Sequence, residues 1–363
     1  MNIRELLSSS ERIKAYQPNP SVDSIADEIG VPESKILKLD ANENLFLGDD
    51  TMREILVEAA VETDPRLYPQ DEVLMLRRLI AENNMVESGQ VMVSAGGDQV
   101  IELMFSLLQR SESVSAVSPT FSMYPRVAVQ RGLDYRLAPL EQDFSLNPEK
   151  TLEAAQGASL LVICNPNNPT GNQFPRETVL DLVKRFKGLV LIDEAYQEYS
   201  EYTLAEEVKN YDNLIILRTF SKAYGLAGLR LGYCISNIDL ATMLRERYMI
   251  PYPVPNVVLR TGAKLIQKQE TVQTAIKETI TEREWLINQL NKLEGIEAYP
   301  SETNFVLFNT EQPTREINQY LQSRGVLIRI IGKVLSLENC LRVTVAPRPN
   351  LERFLETLKE ATN

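Results

Sequence analysis

The sequence predicts an α/β protein with a mostly parallel central sheet and a smaller α+β domain behind it, and three observations carry that prediction. Apolar runs at 113–118, 160–164, 189–192 and 213–220 alternate with helical spacings, as strands buried on both faces between helices do. Each run stops at polar or ring-bearing residues, which fits the carboxyl-end location of ligand sites in open α/β sheets. After PYPVP at 251–255 the texture changes to a long helical pattern and then to further strand and helix candidates. At 363 residues, one large and one small domain fit the length. The expected division is an N-terminal arm over 1–40, a large domain over 41–255 and a small C-terminal domain over 256–363.

Composition narrows the function classes. The chain carries 38 basic and 50 acidic residues, a net charge of −12, which disfavours nonspecific binding to nucleic acid or anionic membranes. Its apolar runs fall far short of the roughly 20 residues that span a bilayer. The N-terminal MNIRELLSSSERIKAY lacks the apolar core of a secretory signal, so cytoplasmic residence is expected. Cys164, Cys234 and Cys340 are widely spaced in apolar segments and read as reduced packing residues. The absence of histidine excludes Ser-His and Cys-His nucleophile pairs and the commonest transition-metal ligand. Acid–base chemistry must then use lysine, a carboxylate, tyrosine or a cofactor.

In chain order, residues 1–36 are polar, and Tyr16-Gln17-Pro18-Asn19-Pro20 breaks any helix there. KLDANENLF at 38–46, with Asn42 at its centre, reads as a short strand or capping turn. Helical spacings follow at 50–61 and 71–83, separated by a proline-bounded loop that presents Tyr68. Val91 opens a strand that ends in Gly96-Gly97-Asp98, ahead of a helix with Ile101, Met104, Phe105 and Leu108 on its apolar face. Such a turn offers free N–H groups and the positive helix end to an anion. It lacks the GxGxxG spacing of a dinucleotide site. Phe121 follows the next strand, where a ring can cover a flat ligand. Asn168 lies in the rigid turn NPNNPTG after 160–164, and Asp193 and Tyr196 end the strand at 189–192.

The run 213–220 ends in Ser221-Lys222, and Arg230 follows after a glycine-rich turn. A partly desolvated lysine keeps a neutral fraction able to form a Schiff base with an aldehyde and to shuttle protons. Ser221 and Arg230 supply a hydroxyl and a cationic fork for a phosphate. Lysine plus phosphate site suggests pyridoxal phosphate (PLP). Asp193 can pair with its protonated pyridine nitrogen, and Asn168 and Tyr196 can bond its ring oxygen. Each such charge-assisted bond is worth roughly 1.5–3 kcal/mol. Taken singly, these residues have plain structural alternatives: a solvated loop lysine, a packing turn, a rim phenylalanine. The combination is specific where its members are not.

Beyond 255 the helical pattern runs to Leu293, and strands at 304–308 and 340–346 alternate with helices at 314–324 and 350–361, an antiparallel α+β arrangement. Arg329 and Arg342 stand among apolar neighbours, where an arginine is costly without a counter-anion. The candidates are an internal carboxylate such as Glu302 or an anionic substrate.

Over nearly its whole length the chain resembles the PLP fold type I aminotransferases and, within them, the histidinol-phosphate aminotransferases. The resemblance rests on KLDANENLF, RLYPQ, the glycine turn before IELM, SPTFSMY, CNPNNPTGN, LIDEAYQEY, RTFSKAYGLAGLRLGY, PYPVP, PSETNFVLF, GVLIR and CLRVTV, in the family's order. It implies that Lys222 carries the cofactor aldehyde, Asp193 holds the pyridine nitrogen, Asn168 and Tyr196 hold the ring oxygen and Phe121 stacks on the ring. The phosphate falls to Ser221, Arg230 and the backbone at Gly97 and Asp98, with Tyr68 reaching in from a second subunit of a homodimer. Arg329 and Arg342 become readers of substrate anions, and Tyr16 closes over the site near Asn42. The implied reaction interconverts histidinol phosphate and 2-oxoglutarate with imidazole-acetol phosphate and glutamate, in histidine biosynthesis. The alternatives are an aromatic amino-acid aminotransferase, a threonine-phosphate decarboxylase-like lyase and a non-catalytic PLP-binding module. The chain departs from the family pattern at Ala346-Pro347-Arg348, where glycine is usual, and at Gly97 and Gln99 in the glycine turn.

Overall fold

The computed structural model describes Ile3, Ile13 and residues 20–362; Tyr16 lies outside the described residues. β1 (Leu37–Lys38) opens the described strands. The central sheet comprises β2 (Val91–Ser94), β3 (Ser113–Ser118), β4 (Asp134–Pro139), β5 (Leu160–Cys164), β6 (Leu189–Asp193), β7 (Leu214–Thr219) and β8 (Gly232–Ser236). Their order across the sheet is β2-β8-β7-β6-β5-β3-β4. All neighbours from β7 to β4 are parallel, and β8 runs antiparallel to both β7 and β2. The expected mostly parallel α/β sheet is present.

Alternation along the strands builds two cores. Leu161, Ile163 and Ile192 pack into one, and Leu160, Val162 and Leu191 into the other. Strands β4 and β8 have no counterpart in the sequence reading. β8 is five residues long and follows the lysine stretch after only a 3-10 turn at Ala227–Leu229. β4 is an edge strand with exposed Asp134 and Leu137, so its pattern is half polar.

A second, antiparallel sheet has the order β12-β13-β10-β9, made by β9 (Ile296–Ala298), β10 (Phe305–Thr310), β12 (Arg329–Val334) and β13 (Leu337–Thr344). β11 (Val326–Leu327) pairs with β1 in parallel. The predicted long helix divides at Lys268 into Asn256–Gln267 and Gln269–Leu290. Val258, Leu259 and Ala263 pack into the large core, whereas Leu286, Leu290, Leu37 and Leu39 share the core of the small sheet. With Val272 and Ile276 in the large core, the helix Gln269–Leu290 bridges the two packing units, and Leu37 and Leu39 pack with the second. No helix among the described residues is long and apolar enough to cross a membrane.

Candidate active site

A cavity of about 960 Å³ opens where β5, β6 and β7 end, against the small antiparallel sheet. Gly97, Asp98, Phe121, Asn168, Asp193 and Tyr196 line it, with Ser221, Lys222 and Arg230 alongside them. Asn42, Arg329 and Arg342 close it from the other side. Parallel strands make this convergence: their carboxyl ends share one edge, so residues far apart in sequence meet there.

Lys222 is held by the segment after β1. Its Nζ donates to the carbonyls of Ala41 at 3.1 Å and Asn42 at 3.2 Å, and sits 5.6 Å from the centroid of the Tyr196 ring. Burial, and then the positive charge of Arg342, lower its pKa to about 8. Neutral amine therefore accumulates well below the range of a free lysine. Labelling of Lys222 by an amine-selective arylating reagent in cofactor-free protein is expected to reach half its maximal rate near pH 8, mapped by peptide mass analysis. A midpoint near that of surface lysines would show an unperturbed amine.

Asp193 ends β6 with its carboxylate buried. Oδ2 accepts from the Tyr124 hydroxyl at 2.6 Å and Oδ1 from the Ala195 N–H at 3.0 Å. Burial raises its pKa to about 6 against the pull of these bonds, so the group is ionised at neutral pH. Tyr124 also meets the Phe121 ring edge-on at 5.7 Å. The sequence reading assigned Tyr124 no role; its signal is its place one turn beyond Phe121 in SPTFSMY.

The Tyr196 hydroxyl accepts from Asn42 Nδ2 at 3.0 Å and Asn168 Nδ2 at 3.4 Å. Burial pushes that hydroxyl's pKa up. Asn168 Oδ1 in turn accepts from Arg342 Nη1 at 2.6 Å, and Arg342 Nη2 donates to the Asp40 carbonyl at 3.2 Å. Asn42 adopts φ 54°, a left-handed conformation that asparagine tolerates.

An anion cradle forms where Gly96 precedes the helix Gly97–Ser106. Free N–H groups and the positive helix end face the cavity there. Arg230, at φ 52°, donates from Nη2 to Asp98 Oδ2 at 2.8 Å and from Nη1 to Ser221 Oγ at 3.5 Å. Gly96 has φ +80°, and a Cβ there would stand 2.8 Å from Arg230 Nη2. At Gly232 a Cβ would come within 2.6 Å of the Gly96 carbonyl carbon, so these two backbones pack without side chains between them.

Arg329 and Arg342 are direct partners across β12 and β13. Like charges directly opposite one another destabilise a sheet, and Asp40 offsets part of that cost at Arg342. Burial lowers the Arg342 pKa, and Arg329 adds to the effect. Glu302, the internal carboxylate considered as their partner, instead lies 3.8 Å from Arg283. Tyr68 does not enter the cavity of its own chain: it is 76% exposed and stacks on Tyr252 with centroids 5.0 Å apart. Lining residues the sequence reading did not propose include Asp40, Arg126 and Lys333.

The family model for aminotransferase class I and II matches residues 34–358. A protein of Ruminiclostridium cellulolyticum named histidinol-phosphate aminotransferase is 34% identical over 331 residues, 89% of this chain and 91% of that relative. The solved histidinol-phosphate aminotransferase of Sinorhizobium meliloti, in complex with pyridoxal-5'-phosphate, has a TM-score of 0.86 at 24% identity, covering 95% of each chain. The L-threonine-O-3-phosphate decarboxylase of Porphyromonas gingivalis has a TM-score of 0.78 at 23% identity, over 90% of this chain and 99% of that one. The backbone is therefore common to transfer and decarboxylation chemistries, and side chains must separate them. With a family match extending from the segment before β1 into the C-terminal helix, the chain belongs to the class I and II aminotransferases.

Proposed function

We propose that this aminotransferase uses pyridoxal 5'-phosphate to move an amino group between glutamate and imidazole-acetol phosphate, giving histidinol phosphate and 2-oxoglutarate in histidine biosynthesis. The observation that carries the reading is the opposed pair Arg329 and Arg342, lining the same cavity as an amine with a lowered pKa. An aminotransferase of this specificity must hold a carboxylate of one substrate and a phosphate of the other, and guanidinium forks pair with both.

The residues fit the cofactor. The cavity offers a reactive amine, an ionised buried carboxylate and a helix N-terminus flanked by Arg230 and Ser221. Asn42 Oδ1 and Arg342 Nε are buried polar atoms without a hydrogen-bond partner among the described residues, as expected of a site that completes its bonding with a ligand. Bound there, the cofactor supplies the electron sink that lets the donor's α-carbon release its proton. Lys222 takes that proton and returns it one carbon away. Asp193 holds the positive charge of the ring nitrogen, held in turn by Tyr124. Asn168 and Tyr196 would hold the ring oxygen, Phe121 would cover the ring, and Ser221, Arg230 and the backbone at Gly97 and Asp98 would hold the phosphate.

The deciding experiment compares histidinol phosphate, phenylalanine and threonine phosphate as amino donors to 2-oxoglutarate. Histidinol phosphate is expected to give the highest kcat/KM, with glutamate as product. A preference for phenylalanine points to a general aromatic aminotransferase, and carbon dioxide released from threonine phosphate points to a lyase; either sinks the reading.

The proposal includes a homodimer with shared sites and cytoplasmic residence. Leu67, Tyr68 and Ile250 are exposed around the Tyr68–Tyr252 stack, an apolar surface suited to a second copy that would receive Tyr68 in its cavity. In mixed dimers of Lys222→Ala and Tyr68→Phe chains, one composite site would keep both native groups. Such heterodimers are expected to retain about half the activity of a wild-type dimer, by the additivity of independent sites. Impairment of both sites would place Tyr68 within its own chain's site.

A further inference from the structure

Arg218 alternates along β7 with the cavity-lining Leu217 and Thr219 and is buried with two carboxylates that the proposed chemistry does not use. Arg218 is 4% exposed and Glu194 1%. Nη1 of Arg218 lies 3.7 Å from both Glu194 Oε2 and Glu198 Oε1, and donates to Gln197 Oε1. Nη2 donates to Asn84 Oδ1 at 3.2 Å, just past the helix Gln70–Asn83. Glu194 is tied further, accepting from the Leu204 N–H and the Thr203 hydroxyl, each at 2.7 Å.

Stability does not account for this cluster. Burial pushes the pKa of both carboxyls up, against the pull of one shared guanidinium and of hydrogen bonds such as those from Leu204 and Thr203 to Glu194. Glu198 Oε2 and Arg218 Nε make no hydrogen bond among the described residues. Well-packed apolar side chains in place of a buried ionic group are often neutral or stabilising. What the cluster provides is geometry. Glu194, Gln197 and Glu198 belong to the same short segment as Asp193 and Tyr196, the segment that leaves β6 and enters the turn Gln197–Tyr199. Asp193 and Tyr196 face the cavity, whereas the other three face Arg218.

We propose that Arg218 is a positioning residue that clamps segment 193–199 from behind, so that Asp193 and Tyr196 keep their aim on the cofactor. The inference rests on the cofactor reading above. Arg218 touches neither cofactor nor substrate, and it acts through Gln197, Glu194 and Glu198.

Three variants test it: Gln197→Ala, which cuts one link and leaves no charge unpaired; Arg218→Lys, which keeps the charge without the fork; and Arg218→Met/Glu198→Gln, which keeps the net charge of the cluster and leaves Glu194 to its bonds from Leu204 and Thr203. Pyridoxal phosphate affinity is measured by equilibrium dialysis on cofactor-free protein, beside kcat, KM and the melting temperature. The double variant is expected to bind the cofactor about tenfold more weakly and to lose about 100-fold in kcat, the scale of a misplacement of about 1 Å, with KM for the amino donor nearly unchanged. Arg218→Lys should recover part of both losses, and Gln197→Ala should weaken the cofactor about threefold, the loss of a single weak constraint, at an unchanged melting temperature. A purely structural role would lower the melting temperature and leave cofactor affinity and kcat of the folded protein native. Native values in Gln197→Ala and in whichever Arg218 variants fold would overturn the proposal, and Gln197→Ala alone decides if those variants do not fold. A wild-type protein that fails to bind pyridoxal phosphate overturns the cofactor reading itself, a result distinct from wild-type binding that the variants leave unaltered.

Discussion

Lys222→Ala is expected to abolish transamination, lowering kcat by at least about four orders of magnitude, because in the proposed function one side chain would supply both the covalent anchor and the proton shuttle. The structure supports both duties. Its amine has a pKa of about 8 and is aimed by the carbonyls of Ala41 and Asn42 rather than locked in an ion pair. A side chain so held can leave its carbonyls for a carbon electrophile and return. The variant should also lose the borohydride-reducible link between protein and pyridoxal phosphate, detected as a mass increment on the peptide carrying residue 222. A reducible link retained in Lys222→Ala would move the anchor elsewhere.

Arg342→Ala is expected to cost roughly 2–5 kcal/mol in transition-state binding, or about 30-fold to several-thousand-fold in kcat/KM for histidinol phosphate. Three effects add. The substrate loses an anion contact, Asn168 Oδ1 loses the donor that orients it, and the segment before Lys222's carbonyls loses its bond at Asp40. Arg342 is also the second cause of the lowered Lys222 pKa, so its removal should move the pH midpoint of Lys222 labelling above 8. Arg329→Ala should be more selective, impairing histidinol phosphate far more than an unphosphorylated aromatic donor. The two variants measured side by side, with both donors and the labelling midpoint, separate the roles. Equal losses on phosphorylated and unphosphorylated donors in Arg329→Ala would remove phosphate recognition from that residue.

The cofactor half of the site was legible because it is built from strand ends. Asn168, Asp193 and Ser221-Lys222 each follow an apolar run, and in a parallel sheet those ends share an edge whatever the order of the strands. The anion cradle was legible for a related reason: Gly96-Gly97 ahead of an amphipathic helix is a local pattern that needs no distant partner. The helices Asp49–Val61, Gln70–Asn83 and Thr314–Ser323 lie within one residue of the expected bounds, since periodic burial marks them along the chain. The continuous pattern to Leu293 hid the break at Lys268, because both helices present an apolar face and the change of packing partner leaves no mark in the periodicity.

By itself, then, the sequence determined the α/β class, the glycine turn, the lysine and the residues that end β5, β6 and β7, all of which follow from local burial and from chemistry at strand termini. Only the tertiary structure decided that β8 runs antiparallel beside β7, that Arg329 stands opposite Arg342, that Ala41 and Asn42 hold the lysine, that Tyr124 donates to Asp193 and that Arg218 lies against Glu194. Each of these is a pairing between separate elements, from the hairpin neighbours Arg329 and Arg342 to Lys222 and Ala41, 181 residues apart. Periodicity records which face of an element is buried, but the partner on that face is set by ladder register and by how the elements stack, and those are fixed only when the whole core closes.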